Sequence, residues 1–232
     1  MLSNMPNDGL LLAVDGPSGT GKSSTCRELA KRLAAKYVDT GAMYRVATLA
    51  VLRGGVDPAD APAVIEATKD LPLEVSDDPD TTAVFLGGED VSGEIRGDEV
   101  TRNVSAVSAI PEVRDNLVAL QRKLAHQAHR AIVEGRDIGT VVLADAPAKA
   151  YLTASAQVRA QRRHDQNLAA GRDSNFDAVL ADVERRDAAD SSRATSPLRP
   201  ADDAAVIDTS ELTLPEVVQR LVQLVEESRH DS

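Results

Sequence analysis

The sequence predicts an α/β fold: a five-stranded parallel sheet flanked by helices, with a small antiparallel insertion and a helical lid. Three observations carry this expectation. Short apolar runs recur along the chain with helical patterns between them, as strands buried on both faces should. The stretch Gly16-Pro17-Ser18-Gly19-Thr20-Gly21-Lys22-Ser23 joins the first of these runs to a helical pattern. Between Leu71 and Val91 the spacing changes to close-set β-runs around a Gly87-Gly88 turn.

In chain order, Met1 to Asp8 reads as a polar, flexible tail, and residues 9–232 as one domain. The first strand runs from about Gly9 to Val14. The loop Gly16–Ser23 follows the G-x-x-x-x-G-K-S pattern. Glycines let such a loop curl its N–H groups onto an anion, the lysine places a charge on outer phosphates, and the hydroxyl suits Mg²⁺. The next helix carries Cys26, Leu29, Ala30 and Leu33 on one face and points its positive end at the loop. Tyr37-Val38 makes a second strand, followed by a helix reaching Leu52 and ended by Gly54-Gly55. A short helix is expected within Asp57–Asp70.

Leu73–Val75, Ala83–Leu86 and Glu89–Val91 read as the antiparallel insertion. Pro111 opens a long helix with Val113, Leu117, Leu120 and Leu124 on one face. Ala131–Val133, Lys149–Leu152 and Ala205–Ile207 complete the parallel sheet. Ser155–Arg193 is a charged helical excursion, and a helix from about Pro215 closes the chain.

Composition narrows the function. The net charge is −11 and only Tyr37, Tyr44, Phe85, Tyr151 and Phe176 are aromatic. Such a chain repels nucleic acid and anionic membranes and offers few platforms for stacked bases. A lone cysteine, Cys26, forms no intrachain disulfide and reads as a small buried hydrophobe. No leader or membrane span is expected, which points to the cytoplasm. His126, His129, His164 and His230 read as surface residues without metal-site partners.

Phosphoryl transfer needs positive charge around both donor and acceptor phosphates. Arg45 follows the second strand and Arg136 the third, at the carboxyl edge where open α/β sheets bind ligands. Glu134 ends an apolar strand and is placed to orient Mg²⁺ or its waters. Phe176, Val179, Leu180 and Val183 form an apolar helical stripe that continues as Arg186, Asp190 and Arg193. Charges on an inward face need partners, and phosphate and sugar groups would serve. Arg159, Arg162, Arg163 and Arg172 suit a lid that closes over phosphates, spanning about residues 155–193.

Five motifs together resemble the bacterial cytidylate kinase family, of the nucleoside monophosphate kinase group of P-loop kinases. They are Asp15–Ser23, Asp39–Arg45, Gly88–Arg96, Glu134–Val142 and Arg186-Asp187-x-x-Asp190-x-x-Arg193. The resemblance runs from about Leu10 to the last helix. It implies transfer of the γ-phosphoryl of ATP, with Mg²⁺, to CMP or dCMP. ATP would lie on Gly16 to Ser23 and Ser24, with Ser23 and Glu134 toward the metal. Thr40, Tyr44, Arg45 and Arg136 would hold the acceptor and its phosphate. Ser105, Arg114 and Asp137 would read the cytosine edge, Arg186 and Asp190 the sugar, and Arg193 would face the phosphates. Lys22, Arg136, Arg162 and Arg193 are the implied catalytic cations. An acceptor-binding subdomain over about residues 40–128 fits the antiparallel insertion, and a monomer is expected.

Two positions depart from the common pattern. Thr40 stands where serine is usual, and Glu134 where aspartate also occurs. A kinase of dephospho-coenzyme A or shikimate would not account for the insertion or the Arg186–Asp190–Arg193 face. A GTPase-type switch would need an N-K-x-D motif, which the sequence lacks.

Overall fold

The structure is a computed structural model and describes residues 9–230, with no side-chain description for residues 229 and 230. The tail expected at Met1–Asp8 and the side chain of His230 lie outside the described residues.

The main sheet has the order β2-β6-β1-β7-β8, and every pair in it is parallel. Its strands are β1 (Leu10–Asp15), β2 (Lys36–Asp39), β6 (Arg130–Glu134), β7 (Ala148–Thr153) and β8 (Ala205–Asp208). The central strands are apolar because helices cover both faces. On one face, α1 (Lys22–Leu33) and α8 (Leu214–His230) bury Leu29, Leu33, Leu221 and Val225 against Leu12, Val14 and Leu152. On the other, α2 (Thr40–Arg53) and α5 (Pro111–Gln127) bury Met43, Ala47, Val113 and Leu117 against Ala13, Val38 and Val133.

The insertion is a separate antiparallel sheet of β3 (Leu73–Val75), β4 (Val84–Leu86) and β5 (Glu89–Asp90). Gly87 and Gly88 both have positive φ, 60° and 81°, in the hairpin between β4 and β5. A small core of Val46, Leu49, Val84, Val91, Ile95 and Val100 fastens it to α2. The short helix expected within Asp57–Asp70 is α3 (Ala61–Thr68), capped by the Asp60 carboxylate on Ala63 N–H.

Three elements were not expected, the first a 3₁₀ turn at Glu94–Arg96. Helix α4 (Asp98–Val107) precedes α5, although Val100, Val104 and Val107 repeat at helical spacing and are all buried. A π-helical turn (Ile138–Val142) follows β6. The excursion after β7 is an antiparallel pair, α6 (Ala156–Ala169) and α7 (Phe176–Ser191), turned at Gly171 with φ +69°. His164 corrects the surface reading. Its ring is half-buried in this hairpin, with Nδ1 2.9 Å from Ser174 Oγ and an edge-on contact to Phe176. His126 and His129 are exposed, as expected.

Candidate active site

The carboxyl ends of β1, β2 and β6 lie side by side, with Asp39 beside Glu134 and Val14 beside Glu134 in register. Whatever follows these strands therefore meets in one place. After β1 comes the glycine loop, and its shape explains its composition. Gly16 has φ +143°, and a Cβ there would lie 2.0 Å from the Leu152 carbonyl oxygen. Gly19, at φ +83°, lies against the backbone of Arg159, so α6 sits directly on the loop.

Lys22 is buried and donates to the carbonyls of Gly16 and Pro17, both at 2.7 Å. Thr20 Oγ1 donates to the Pro17 carbonyl, closing the same curl. Burial, then the nearby Arg136, pushes the Lys22 ammonium down to about 8. Ser23 Oγ donates to Glu134 Oε1 at 2.7 Å, so the first turn of α1 is tied to the end of β6. Burial and the neighbouring Asp39 carboxylate push Glu134 up to about 7, and its Oε2 is buried with no partner among the described residues. A serine hydroxyl beside a free carboxylate oxygen is a hard-oxygen pair that fits Mg²⁺.

After β2, the Asp39 carboxylate caps α2 on Ala42 N–H at 2.9 Å. Thr40 Oγ1 donates to the Glu134 carbonyl at 2.7 Å, locking the start of α2 to β6. Five residues into this helix, Arg45 reaches the Ile95 carbonyl and Thr101 Oγ1, both at 3.0 Å. Burial is the largest influence on Arg45, followed by Arg186, Arg163 and Arg136, and together they push it down to about 10. Arg186, buried on α7, is likewise pushed down to about 10 by burial and Arg136, and its Nε has no partner among the described residues. Arg45 on α2, Arg163 on α6, Arg186 on α7 and Arg136 after β6 thus lie near enough to repel one another. The inward charged stripe expected on α7 is present at Arg186 and Asp190, both buried, while Arg193 lies just beyond the helix end at Ser191.

Asp190 partly offsets this positive charge. Its Oδ2 accepts from Arg136 Nε and its Oδ1 from Arg193 Nη2, both at 2.5 Å. Burial raises its carboxyl, but Arg136, Arg193 and Arg186 outweigh that and hold it below the ordinary range.

A second group lies deeper. Arg114 on α5 pairs with Asp137 and donates to the Ser108 carbonyl, and it stacks 5.2 Å from the centre of the buried Tyr44 ring. Arg193 Nη2 also donates to Ser108 Oγ at 3.0 Å. Ser105 lies one turn before Ser108 on α4, half-buried, with its carbonyl accepting from Ser108 Oγ. The expected acceptor residues Thr40, Tyr44, Arg45, Ser105, Arg114, Arg136, Asp137, Arg186, Asp190 and Arg193 are therefore drawn to one edge of the sheet and the elements beside it. Arg162 is placed differently from the other arginines. It holds the Thr209 carbonyl at 2.6 Å, Thr209 Oγ1 at 3.1 Å and the Thr20 carbonyl at 3.4 Å, fastening α6 to the glycine loop and the end of β8. Arg159 similarly pairs with Asp187 and reaches the Ser18 carbonyl.

The sequence reading did not single out Ser108 or Thr209, since lone serines and threonines carry no spacing signal. Among the described residues no cluster of three or more His, Cys, Asp or Glu could hold a metal ion, and no helix is long and apolar enough to cross a membrane.

Solved structures similar in fold include a gluconokinase from Sinorhizobium meliloti 1021, with TM-score 0.52 and 15% identity over 97% of this chain and 98% of that one. An uncharacterized protein from Eubacterium ventriosum has TM-score 0.54 and 10% identity over 95% of this chain and 99% of that one. These likenesses concern fold alone. At the level of sequence, the chain is 68% identical to the cytidylate kinase of Corynebacterium glutamicum over 98% of its own length and 99% of that protein's. It is 64% identical to the cytidylate kinase of Corynebacterium diphtheriae over 97% of each. The family model described as cytidylate kinase matches residues 12–227, and with this fold and this arginine-lined edge the chain belongs to the cytidylate kinase family.

Proposed function

We propose that this site transfers the γ-phosphoryl group of ATP to CMP and dCMP, giving CDP and dCDP. The observation that carries the reading is the convergence of Arg45, Arg136, Arg163 and Arg186 beside the Lys22 loop, with a depressed Arg45 and Arg186. Gathering several half-buried guanidinium groups around the buried Arg186 is unfavourable unless an anion lies among them. A nucleotide phosphate supplies that anion, and the loop at Gly16–Ser24 holds the donor's phosphates a short distance away.

The chain's own groups do three things. The loop amides and Lys22 cradle the β- and γ-phosphates, which requires Lys22 to leave the Gly16 and Pro17 carbonyls for the ligand. Ser23 and Glu134 would hold Mg²⁺, which when bound would supply neutralisation of phosphate charge. Arg45, Arg136 and Arg193 align the acceptor phosphate for in-line attack, with Thr40 and Arg186 beside them. No general base is required, because the acceptor phosphate is already an anion. Positioning and charge neutralisation carry the rate.

The base is read by Asp137, held by Arg114, with Ser105 and Tyr44 at the same pocket. Cytosine presents an exocyclic amine donor where uracil presents a carbonyl. A carboxylate facing a carbonyl is a buried mismatch costing about 1–3 kcal/mol, a tenfold or larger preference. Asp190 and Arg186 serve the sugar. The α6–α7 hairpin, residues 155–193, acts as the lid, and residues 40–128 as the acceptor-binding subdomain. A monomer is the expected functional unit.

ADP release coupled to an indicator reaction, run with CMP, dCMP, UMP and AMP, tests the proposal. CMP and dCMP are expected to react at similar efficiency and UMP at least about tenfold less well. Equal rates with UMP and CMP would remove Asp137 as the base-reading group.

A further inference from the structure

Asp15 ends β1 and stands immediately before Gly16, yet it makes no salt bridge among the described residues. It is 3% exposed. Its Oδ1 accepts from the Ile138 N–H at 2.8 Å and its Oδ2 from the Gly139 N–H at 2.7 Å. Those consecutive amides open the π-helical turn that follows Asp137, and one carboxylate spans both. Asp137 has an irregular backbone, φ −142° and ψ 26°, and the turn behind it closes on its own Asp137 and Ile138 carbonyls while the Asp15 carboxylate takes its first two amides. Gly139 lets this approach happen, since a Cβ there would lie 3.4 Å from Asp15 Oδ2 and 3.2 Å from the Lys149 side chain.

This arrangement is unfavourable for stability. Burial pushes the Asp15 carboxyl up to about 6 despite the two amide bonds, and the Asp137 charge adds to the rise while Lys22 opposes it. A buried acid that stability alone would not select marks a place where geometry matters more.

We infer that Asp15 is a positioning residue for the acceptor nucleotide: its carboxylate clamps the Ile138–Gly139 amides and so fixes Arg136 and Asp137 relative to the glycine loop. The clamp makes one rigid unit of the start of the donor loop and the turn that carries the acceptor-reading side chains. The inference rests on the proposed reading of Asp137 as the base-recognising group.

The test compares Asp15→Asn, Asp137→Asn and the parent enzyme with CMP, UMP and ATP. Asp15→Asn keeps the shape but turns its carboxamide NH2, a donor, toward one of the two backbone N–H donors. It is expected to raise the KM for CMP about tenfold and narrow the CMP-over-UMP preference, while the KM for ATP moves less than about threefold. An unchanged KM for CMP, or equal rises for CMP and ATP, would overturn the clamp as a positioning device. If Asp137→Asn retains full discrimination, the base-reading role itself falls. If Asp137→Asn loses discrimination and Asp15→Asn does not, only the role of Asp15 falls. Hydrogen exchange of the Ile138 and Gly139 amides in the unsubstituted protein decides the matter even if Asp15→Asn fails to fold. Strong protection without nucleotide supports a preformed clamp, and exchange at loop-like rates overturns it.

Discussion

Arg136 Nε donates to Asp190 Oδ2 at 2.5 Å, joining the turn after β6 to the second helix of the α6–α7 hairpin. Asp190 also holds Arg193, so one buried carboxylate orders two cations that the acceptor phosphate is expected to meet. Removing it should disturb acceptor binding first. Asp190→Ala is expected to raise the KM for CMP at least about tenfold with little change for ATP, and to cost about 3 kcal/mol of stability. Steady-state kinetics and urea unfolding check both parts. An unchanged KM for CMP would show that the carboxylate serves the fold alone.

Arg186 should behave in the opposite sense for stability. Its guanidinium is buried, pushed down to about 10, and its Nε is unpartnered among the described residues. Arg186→Met is expected to leave stability unchanged or raise it by about 1 kcal/mol, while the KM for CMP rises about tenfold. Thermal melts of the nucleotide-free protein, read beside the kinetics, make the comparison. Loss of stability together with unchanged kinetics would assign Arg186 to the fold.

Lys22→Ala should leave a folded protein with phosphoryl transfer reduced about a hundredfold or more. Circular dichroism confirms the fold and the coupled assay measures the loss. Activity within a few-fold of the parent would contradict the donor-loop assignment.

Protonation of Asp15 gives a pH signature of folding. Its carboxyl is raised to about 6 in the folded state, above the unfolded value, mainly by burial. The folded chain therefore holds more protons between about pH 4 and pH 6, and the contribution of Asp15 to stability falls as pH rises through that window. A two-unit shift corresponds to about 3 kcal/mol at most. The groups acting on it are Asp137, which adds to the rise, and Lys22, which opposes it. Urea unfolding of the parent and of Asp15→Asn from pH 4 to 7 should show the parent losing ground relative to the variant as pH increases. Parallel curves would mean that Asp15 does not titrate in this range.

Much of this architecture could be read in advance, for identifiable reasons. Leu10–Val14, Ala131–Val133 and Lys149–Leu152 are apolar runs with few alternatives to a buried strand. Gly16–Ser23 encodes a backbone shape that only glycines adopt, which is why its spacing is so informative. The α7 stripe was legible because Arg186 and Asp190 continue the periodicity of Val179 and Val183 onto the buried face. What escaped was non-periodic. Helix α4 carries a stripe at Val100, Val104 and Val107, but it is short and no element was expected between Val91 and Pro111. The π-turn at Ile138–Val142 is dictated from a distance, by a carboxylate that is far away in sequence. His164 was misplaced because an amphipathic ring in a charged helix looks solvated until its partner helix, with Ser174 and Phe176, is present.

The strand order also constrains how the chain is assembled. Strands β1 and β2 are consecutive in sequence but not neighbours, because β6 lies between them. Until residues 130–134 have emerged, β1 and β2 have no shared hydrogen-bonding partner, and the glycine loop has no Glu134 to anchor Ser23. Closing the interval from Asp39 to Arg130 precedes any pairing reward, so this step should dominate the folding barrier. A nascent chain released or cleaved before β6 would hold the complete phosphate-loop sequence without a phosphate site.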